Sequence, residues 1–239
     1  MEKTQQTHRA PVSHQPLKVE KGNLGEIGSL VEVEINGIPY KVPIGTTILE
    51  ACRQHNIHIP TLCYHEDLCL AGVCRICVVE VDGMRVLPTS CTFPITNRIK
   101  VKTSSEKVRK ARRHILDLLL SEHYGECYSC HRNGNCELQN LAKEYGVDSY
   151  KFGHVTERKH EVDRSSYSVI RDMDKCILCK RCVRTCIDLQ EVGVLEATQR
   201  GANTTISTFL DKPLADVICI NCGQCINRCP TGALRANDP

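Results

Sequence analysis

The chain has 239 residues, with 31 Lys and Arg against 28 Asp and Glu and a formal net charge of +3. This near balance offers no strongly basic surface, so neither nucleic acid nor an anionic membrane is an expected partner. No run of about 18 apolar residues predicts direct membrane insertion. The polar N-terminus lacks the apolar segment of an export signal, so a cytoplasmic location is expected.

The N-terminal part of the chain contains a predicted tail, a linker, a hairpin and a short helix. Residues 1–27 are polar and predict a disordered or partner-binding tail. The glycines of GNLGEIG, residues 22–28, have the wrong spacing for a dinucleotide loop and predict a linker. LVEVEINGIPYKV alternates apolar and polar residues around Asn36-Gly37, which predicts a hairpin. Thr47 and Glu50 form a capping box that begins a short helix, ILEACRQHN.

A second hairpin is predicted in CVVEVDGMRVL, with its turn at Asp82-Gly83, and RIKVK predicts one more strand. Together these elements predict a β-grasp domain over residues 28–103. A capping box from Thr103 to Glu106 then predicts a longer helix that ends near His123. Its apolar positions recur at helical spacing: Val108, Ala111, Ile115, Leu118 and Leu119.

A helix in ELQNLAKEYG, closed by Gly146, completes a small helical module over residues 104–156. The charged stretch at residues 157–166 predicts a boundary, after which residues 157–239 form a last domain. The fold class expected for the whole chain is α+β.

Seventeen cysteines are the unusual feature of the composition. Their number is odd and the cytoplasm keeps thiols reduced, so a disulfide framework is not expected. Cysteines clustered at short spacings in that compartment indicate metal binding.

Two copies of C-x2-C-x2-C-x3-C form an internal repeat, CILCKRCVRTC from Cys176 and CINCGQCINRC from Cys219. This is the spacing of bacterial ferredoxins, in which three cysteines of a run bind one [4Fe–4S] cluster and the fourth binds the other. A tight loop wraps three corners of a cube, so the last ligand has to come from another element. One cluster is therefore expected on Cys176, Cys179, Cys182 and Cys229, and the other on Cys186, Cys219, Cys222 and Cys225.

The second run ends in Cys229-Pro230, as the ferredoxin signature requires, whereas Ile187 follows the first run. Two four-cysteine zinc sites are the alternative, although zinc rarely uses triple runs. Basic residues flank the first run and would either stabilise a reduced cluster or form a solvated face: Lys175, Lys180, Arg181 and Arg184.

Five cysteines nearer the N-terminus compete for one four-ligand site: Cys63, Cys69, Cys74, Cys77 and Cys91. Cys69-x4-Cys74-x2-Cys77 is the plant-type [2Fe–2S] spacing. A set that uses Cys63 in place of Cys69 competes with it. Spacing by itself favours Cys69 and does not settle the choice.

The stretch HYGECYSCHRNGNC, from His123 to Cys136, suits three kinds of site. C-Y-S-C-H matches a c-type haem attachment motif, but haem attachment needs export and leaves Cys136 unexplained. Three cysteines and one histidine also suit zinc or an iron–sulfur cluster. From these residues alone, zinc is the stronger alternative.

Four segments resemble, in order, the N-terminal iron–sulfur region of the [FeFe] hydrogenases: IPTLCYHEDLCLAGVCRICVVEV, HYGECYSCHRNGNCELQNLA, RDMDKCILCKRCVRTC and PLADVICINCGQCINRCPTGAL. They are also similar to the cluster-bearing subunit of NADH dehydrogenase and the small diaphorase subunit of NAD-linked [NiFe] hydrogenases. The resemblance spans about residues 30–235.

This resemblance implies a [2Fe–2S] cluster on Cys63, Cys74, Cys77 and Cys91, with Cys69 as a spare thiol. It also implies a [4Fe–4S] cluster on His123, Cys127, Cys130 and Cys136. His131 is the rival histidine for that site. Cys52, on the apolar side of its helix, is expected to be a buried structural thiol.

No dinucleotide fingerprint, P-loop or nickel–iron cysteine pair is present, so no catalytic residue is assigned to this chain. The chain begins with Met1 and stops ten residues after Cys229, where the [FeFe] hydrogenases continue, which predicts a standalone subunit.

The resemblance implies an electron-transfer subunit with one [2Fe–2S] and three [4Fe–4S] clusters. Such a subunit belongs to a hetero-oligomeric complex, and the complexes of this kind include electron-bifurcating ones. Its expected partners are a flavin- and NAD(P)-binding diaphorase subunit and a hydrogenase catalytic subunit. The alternatives are a subunit of a formate dehydrogenase or NADH:quinone complex, a fragment of an [FeFe] hydrogenase, and a zinc-stapled scaffold.

Overall fold

The structure is a computed structural model that describes residues 29–147, 152–153, 155 and 157–237. The predicted tail and linker lie outside the described residues. The strands are β1 Leu30–Ile35, β2 Ile38–Pro43, β3 Glu80–Val81, β4 Ile99–Lys102, β5 Val169–Arg171, β6 Glu196–Thr198, β7 Thr205–Ser207 and β8 Leu234–Ala236. The helices are α1 Ile48–Gln54, α2 Glu106–Ser121, α3 Glu137–Glu144, α4 Arg181–Arg184 and α5 Gln224–Asn227.

The N-terminal sheet has the strand order β2-β1-β4-β3. The predicted first hairpin is confirmed, since β1 and β2 pair antiparallel around Asn36-Gly37, both at positive φ. Strand β1 also pairs parallel with β4, and α1 lies in the long connection that this parallel pairing requires. The predicted capping box of α1 is confirmed as well, with both Thr47–Glu50 hydrogen bonds present. Strands and helix enclose an apolar core of Val33, Ile35, Ile48 and Leu49.

The predicted second hairpin is only partly present, as an isolated antiparallel bridge between Val78 and Thr89. Asp82-Gly83 does form a turn, but β3 pairs with β4, so that Val81 lies opposite Val101. Both valines are buried in the core of the domain, whereas Val86, which the hairpin would have used, is 66% exposed. Burial of apolar surface across the sheet therefore outweighs the local turn signal.

Helix α2 begins two residues later than predicted, but most of its predicted apolar face is confirmed, since Val108 is buried and Ile115 and Leu119 pack against a buried cluster. Its N-cap is Ser105, whose side chain accepts from the Val108 amide, while Thr103 bonds with the side chain of Asn36. Leu118, predicted to be buried, is 53% exposed. Arg112 is buried instead and donates to the Val78 carbonyl at 2.8 Å, a tertiary contact that a polarity pattern does not reveal.

The C-terminal region contains two small sheets, β5–β8 and β6–β7, around the two short helices α4 and α5. The sequence repeat is also a repeat of backbone conformation. Leu178 and Lys180 before α4 have positive φ, and so do the corresponding Asn221 and Gly223 before α5. Two left-handed residues per run coil each loop tightly, which turns its cysteines toward one side.

Residues 157–166, predicted to be a boundary, are tied to this region by ion pairs. Arg158 contacts Asp172 at 2.6 Å, and Asp163 contacts Arg171 at 3.3 Å. None of the helices in the described ranges is long and apolar enough to cross a bilayer.

Candidate metal centres

Four cysteines of the N-terminal domain come together, and we call them the N-terminal quartet: Cys63, Cys74, Cys77 and Cys91. The Cys77 and Cys91 sulfurs lie 3.4 Å apart, and the Cys63 amide donates to the Cys74 sulfur at 3.4 Å. The Cys63 thiol also contacts Cys74 and Cys91. All four side chains are buried.

Mutual hydrogen bonds in this quartet divide the thiols into two kinds. Contact with the Cys74 thiol lowers the pKa of Cys63, and contact with the Cys91 thiol lowers that of Cys77. The same contacts raise the pKa of Cys74 and Cys91. Four buried thiols in contact cannot all lose their protons unless a cation compensates the charge, which is the electrostatic setting of a metal site.

Cys69 lies outside this quartet. It is exposed, and a hydrogen bond with Asp188 raises the pKa of its thiol. Cys52 is fully buried in the apolar core of the β-grasp domain, where burial raises its pKa to about 11. An unreactive structural thiol has these properties.

The second group, which we call the His123 site, consists of four residues that line one cavity: His123, Cys127, Cys130 and Cys136. His123 follows the end of α2, Cys127 and Cys130 flank a 3-10 turn, and Cys136 is the N-cap of α3. The rival His131 is exposed and does not line the cavity.

The imidazole of His123 has the state that a ligand needs. Burial, with a smaller contribution from the charge of Lys175, lowers its pKa to about 4, so it is neutral at neutral pH. Its Nδ1 atom is buried without a hydrogen-bond partner. A buried, unpaired nitrogen on a residue that shares its cavity with three cysteines fits a metal ligand, because such a group is otherwise costly to bury.

The backbone of the C-terminal region closes over the His123 site at Gly232. A Cβ atom on this glycine would lie 2.8 Å from the Cys130 sulfur, closer than the two atoms can approach. The Cys136 sulfur lies 3.7 Å from the carbonyl oxygen of Pro230. Sequence reasoning missed Gly232, and the only local signal was its place just after Cys229-Pro230.

The C-terminal cysteines line two separate cavities. One is lined by the central quartet: Cys176, Cys179, Cys182 and Cys229. The other is lined by the outer quartet: Cys186, Cys219, Cys222 and Cys225. Each cavity thus groups three cysteines of one run with the last cysteine of the other run.

The two C-terminal quartets differ in burial. Burial raises the pKa of Cys176, Cys179 and Cys182 in the central quartet, that of Cys179 to about 12. Cys222 of the outer quartet is exposed. Of the four flanking basic residues, Lys175, Arg181 and Arg184 are buried, so a solvated basic face is the wrong interpretation for those three.

The donor sets suit iron–sulfur clusters in their chemistry, since each group offers four thiol or imidazole ligands. In the part of the chain that the structure describes, no three such side chains are placed to hold a single metal ion. Three family models match the chain in order. A 2Fe-2S iron-sulfur cluster binding domain matches residues 28–106, and the NADH-ubiquinone oxidoreductase-G iron-sulfur binding region matches residues 112–150. The ferredoxin-like domain of NADH-quinone oxidoreductase subunit 3 matches residues 167–235.

Among curated proteins, the NADP-reducing hydrogenase subunit HndD of Solidesulfovibrio fructosivorans is 45% identical over 213 residues, which cover 86% of this chain and 36% of that protein. The NADH-ubiquinone oxidoreductase 75 kDa subunit of Reclinomonas americana is 38% identical over 205 residues, covering 86% and 29%. The chain thus spans about a third of the length of these relatives.

A solved structure of NAD+-reducing [NiFe]-hydrogenase in the H2-reduced state matches with a TM-score of 0.78 and 28% identity, covering 87% of both chains. With the relatives above, this match confirms the resemblance seen in the four cysteine segments. The chain is therefore similar to the iron–sulfur regions of NAD(P)-linked hydrogenases and NADH dehydrogenases, and family models match it to one 2Fe-2S domain and to 4Fe-4S binding regions.

Proposed function

We propose that this chain is an electron-transfer subunit that holds one [2Fe–2S] cluster on the N-terminal quartet and three [4Fe–4S] clusters. The three lie on the His123 site, the central quartet and the outer quartet. When bound, such clusters supply one-electron chemistry, while the protein sets their positions and potentials. The observation that carries the proposal is the convergence of all sixteen predicted ligands into four separate groups.

The groups are arranged on three proposed units, residues 28–103, 104–156 and 157–239. The matched family regions support this division, since their limits lie near these boundaries. The units share a buried apolar cluster that contains Cys63, Cys136 and Cys179, one candidate ligand from each unit.

The central quartet is the proposed junction of the electron path. Cys179 lies close enough to Cys63 for that thiol to raise its pKa, although burial has the larger effect. The charge of Cys225 of the outer quartet likewise raises the pKa of Cys182, again less than burial does. On a third side, the Pro230 carbonyl next to Cys229 lies beside the sulfur of Cys136. Electrons from the N-terminal quartet and from the His123 site would therefore meet at the central quartet.

The outer quartet is the proposed exit toward a catalytic partner. Cys222 is exposed, and so are several apolar residues adjacent in sequence to the quartet: Ile187, Ile218 and Ile220. Apolar surface beside a redox site suits a protein partner that excludes water from the transfer path. The proposed partners are a flavin- and NAD(P)-binding diaphorase subunit and a hydrogenase catalytic subunit, including those of electron-bifurcating complexes.

Metal content and partners test this function. Anaerobically purified protein is expected to contain about 14 irons and a similar number of labile sulfides per chain. Zinc without sulfide would contradict the electron-transfer function. Mass spectrometry of the tagged complex from its own cell is expected to identify a flavoprotein and a hydrogenase subunit. A formate dehydrogenase or quinone-linked set would replace the hydrogenase as the terminal partner, and a chain recovered alone would contradict the complex.

Replacing His123 by Cys tests the histidine ligand. The variant is expected to keep its irons while the potential of this one cluster becomes more negative, because a thiolate adds a negative charge that a neutral imidazole lacks. An anaerobic redox titration followed by EPR spectroscopy measures the shift. The exposed His131, replaced by Cys, is the control. An unchanged titration of the His123→Cys protein would show that His123 is not a ligand.

A further inference from the structure

Three arginines of the two cysteine runs, Arg181 and Arg184 buried and Arg228 half-buried, contact other parts of the molecule. Arg181 of α4 forms a bidentate ion pair with Glu137 of α3, with hydrogen bonds of 2.7 and 2.9 Å. Arg228 contacts Asp67 of the N-terminal domain at 3.1 Å. The positive charges of these two arginines are therefore balanced by carboxylates.

Arg184 differs from the other two in what it contacts. Its guanidinium donates to the main-chain carbonyls of Cys63 and Cys69, to that of Cys179 at 3.4 Å and, through Nε, to that of Lys180 at 3.2 Å. Among the ion pairs of residues 29–147 and 157–237, none includes Arg184.

The carbonyls that Arg184 binds belong to two different centres. Cys63 is in the N-terminal quartet and Cys179 is in the central quartet. One buried guanidinium, 8% exposed, thus joins the two cysteine loops across 121 residues of sequence. Neutral carbonyls solvate a cation but do not cancel its charge, and an uncancelled buried charge is costly. Thiolate-ligated clusters on either side would supply the missing negative charge.

We propose that Arg184 is a positioning residue for electron transfer between these two centres. It holds the Cys63 and Cys179 loops against each other, and its uncancelled charge raises the potentials of both neighbouring clusters. This inference rests on the proposed function, since it requires clusters on the N-terminal and central quartets.

The test uses Arg184→Met and Arg184→Lys in the full-length protein, purified anaerobically and titrated with EPR detection. Arg184→Met is expected to shift the [2Fe–2S] cluster and the central cluster to more negative potentials, because a positive charge favours the reduced state. The clusters of the outer quartet and the His123 site are expected to keep their potentials. Arg184→Lys keeps the charge and is expected to restore both values.

A matched control removes an ion pair, which has no net charge, from the contact between the same two parts of the molecule. The double variant Arg228→Met with Asp67→Asn loses an ion pair but no net charge, so its potentials are expected to stay unchanged. Shifts as large as those of Arg184→Met in this control would assign the effect to a loosened interface. Fully loaded Arg184→Met with wild-type potentials would overturn the proposal.

A second pair of variants covers the case in which Arg184→Met fails to assemble. Cys69 is exposed, lies outside the N-terminal quartet, and its thiol interacts with Arg184. Cys69→Asp sets a carboxylate beside the intact arginine and is expected to lower the same two potentials, with Cys69→Ser as the neutral control. No shift in loaded Cys69→Asp would overturn the proposal. Failure of the proposed function can be distinguished from failure of this inference, because the wild-type protein itself would then lack the EPR signals of the clusters.

Discussion

Cys63→Ala is expected to lose the two irons of the [2Fe–2S] cluster, leaving about 12 per chain, whereas Cys69→Ala is expected to keep all of about 14. The Cys63 thiol contacts Cys74 and Cys91, while the Cys69 thiol is exposed and interacts with Asp188 and Arg184. Iron analysis together with the EPR signal of the reduced [2Fe–2S] cluster measures the difference.

The two alanine variants serve as controls for each other, since each removes one thiol from the same loop. Loss of the cluster in Cys69→Ala but not in Cys63→Ala would return the assignment to the plant-type spacing. Cys52→Ala distinguishes loss of stability from loss of the cluster. This thiol is buried in the same apolar core as Cys77 and Cys91, but its pKa is raised by burial and not by a bond to a quartet thiol, so its replacement is expected to reduce stability without loss of iron.

Gly232→Ala is expected to remove the cluster of the His123 site and leave about 10 irons per chain. The new Cβ would lie 2.8 Å from the Cys130 sulfur and 3.2 Å from the His131 ring. A free thiol could turn away, but a sulfur held by iron cannot, so the steric conflict falls on the ligand. Iron analysis and the EPR spectrum of the reduced protein measure the loss.

Gly134→Ala is the matched control for this substitution. Gly134 lies in the loop between Cys130 and Cys136, has a positive φ, and has open space where a Cβ would be. Its replacement strains the backbone by about 1 kcal/mol without touching a ligand. We expect Gly134→Ala to keep its irons. Equal iron loss in both variants would attribute the effect to backbone strain, and full iron in Gly232→Ala would contradict the close approach.

The register of the Asp82-Gly83 hairpin and the burial of Arg112 rather than Leu118 in α2 could not be predicted correctly from the sequence. In both places a contact distant in sequence overrides a local pattern: Val81 pairs with Val101, and Arg112 bonds to Val78. Local propensities differ by less than the free energy gained when such contacts bury apolar or polar groups.

The sequence by itself determined the features that depend on a few neighbouring residues. These are the first hairpin, the capping box of α1 and the short spacings of the repeated cysteine runs. The physical reason is that φ preferences, caps and short ligand spacings act within about one turn of chain.

Only the tertiary structure decided which of two chemically equivalent residues lies in a site. It brings Cys63 rather than Cys69 into contact with Cys74, leaves His123 rather than His131 beside the thiols, and lays Gly232 over Cys130. Arg184 reaches a carbonyl 121 residues away in the same manner. Two cysteines or two histidines of the same loop have the same intrinsic chemistry, so packing against segments remote in sequence determines which of them lies in the site.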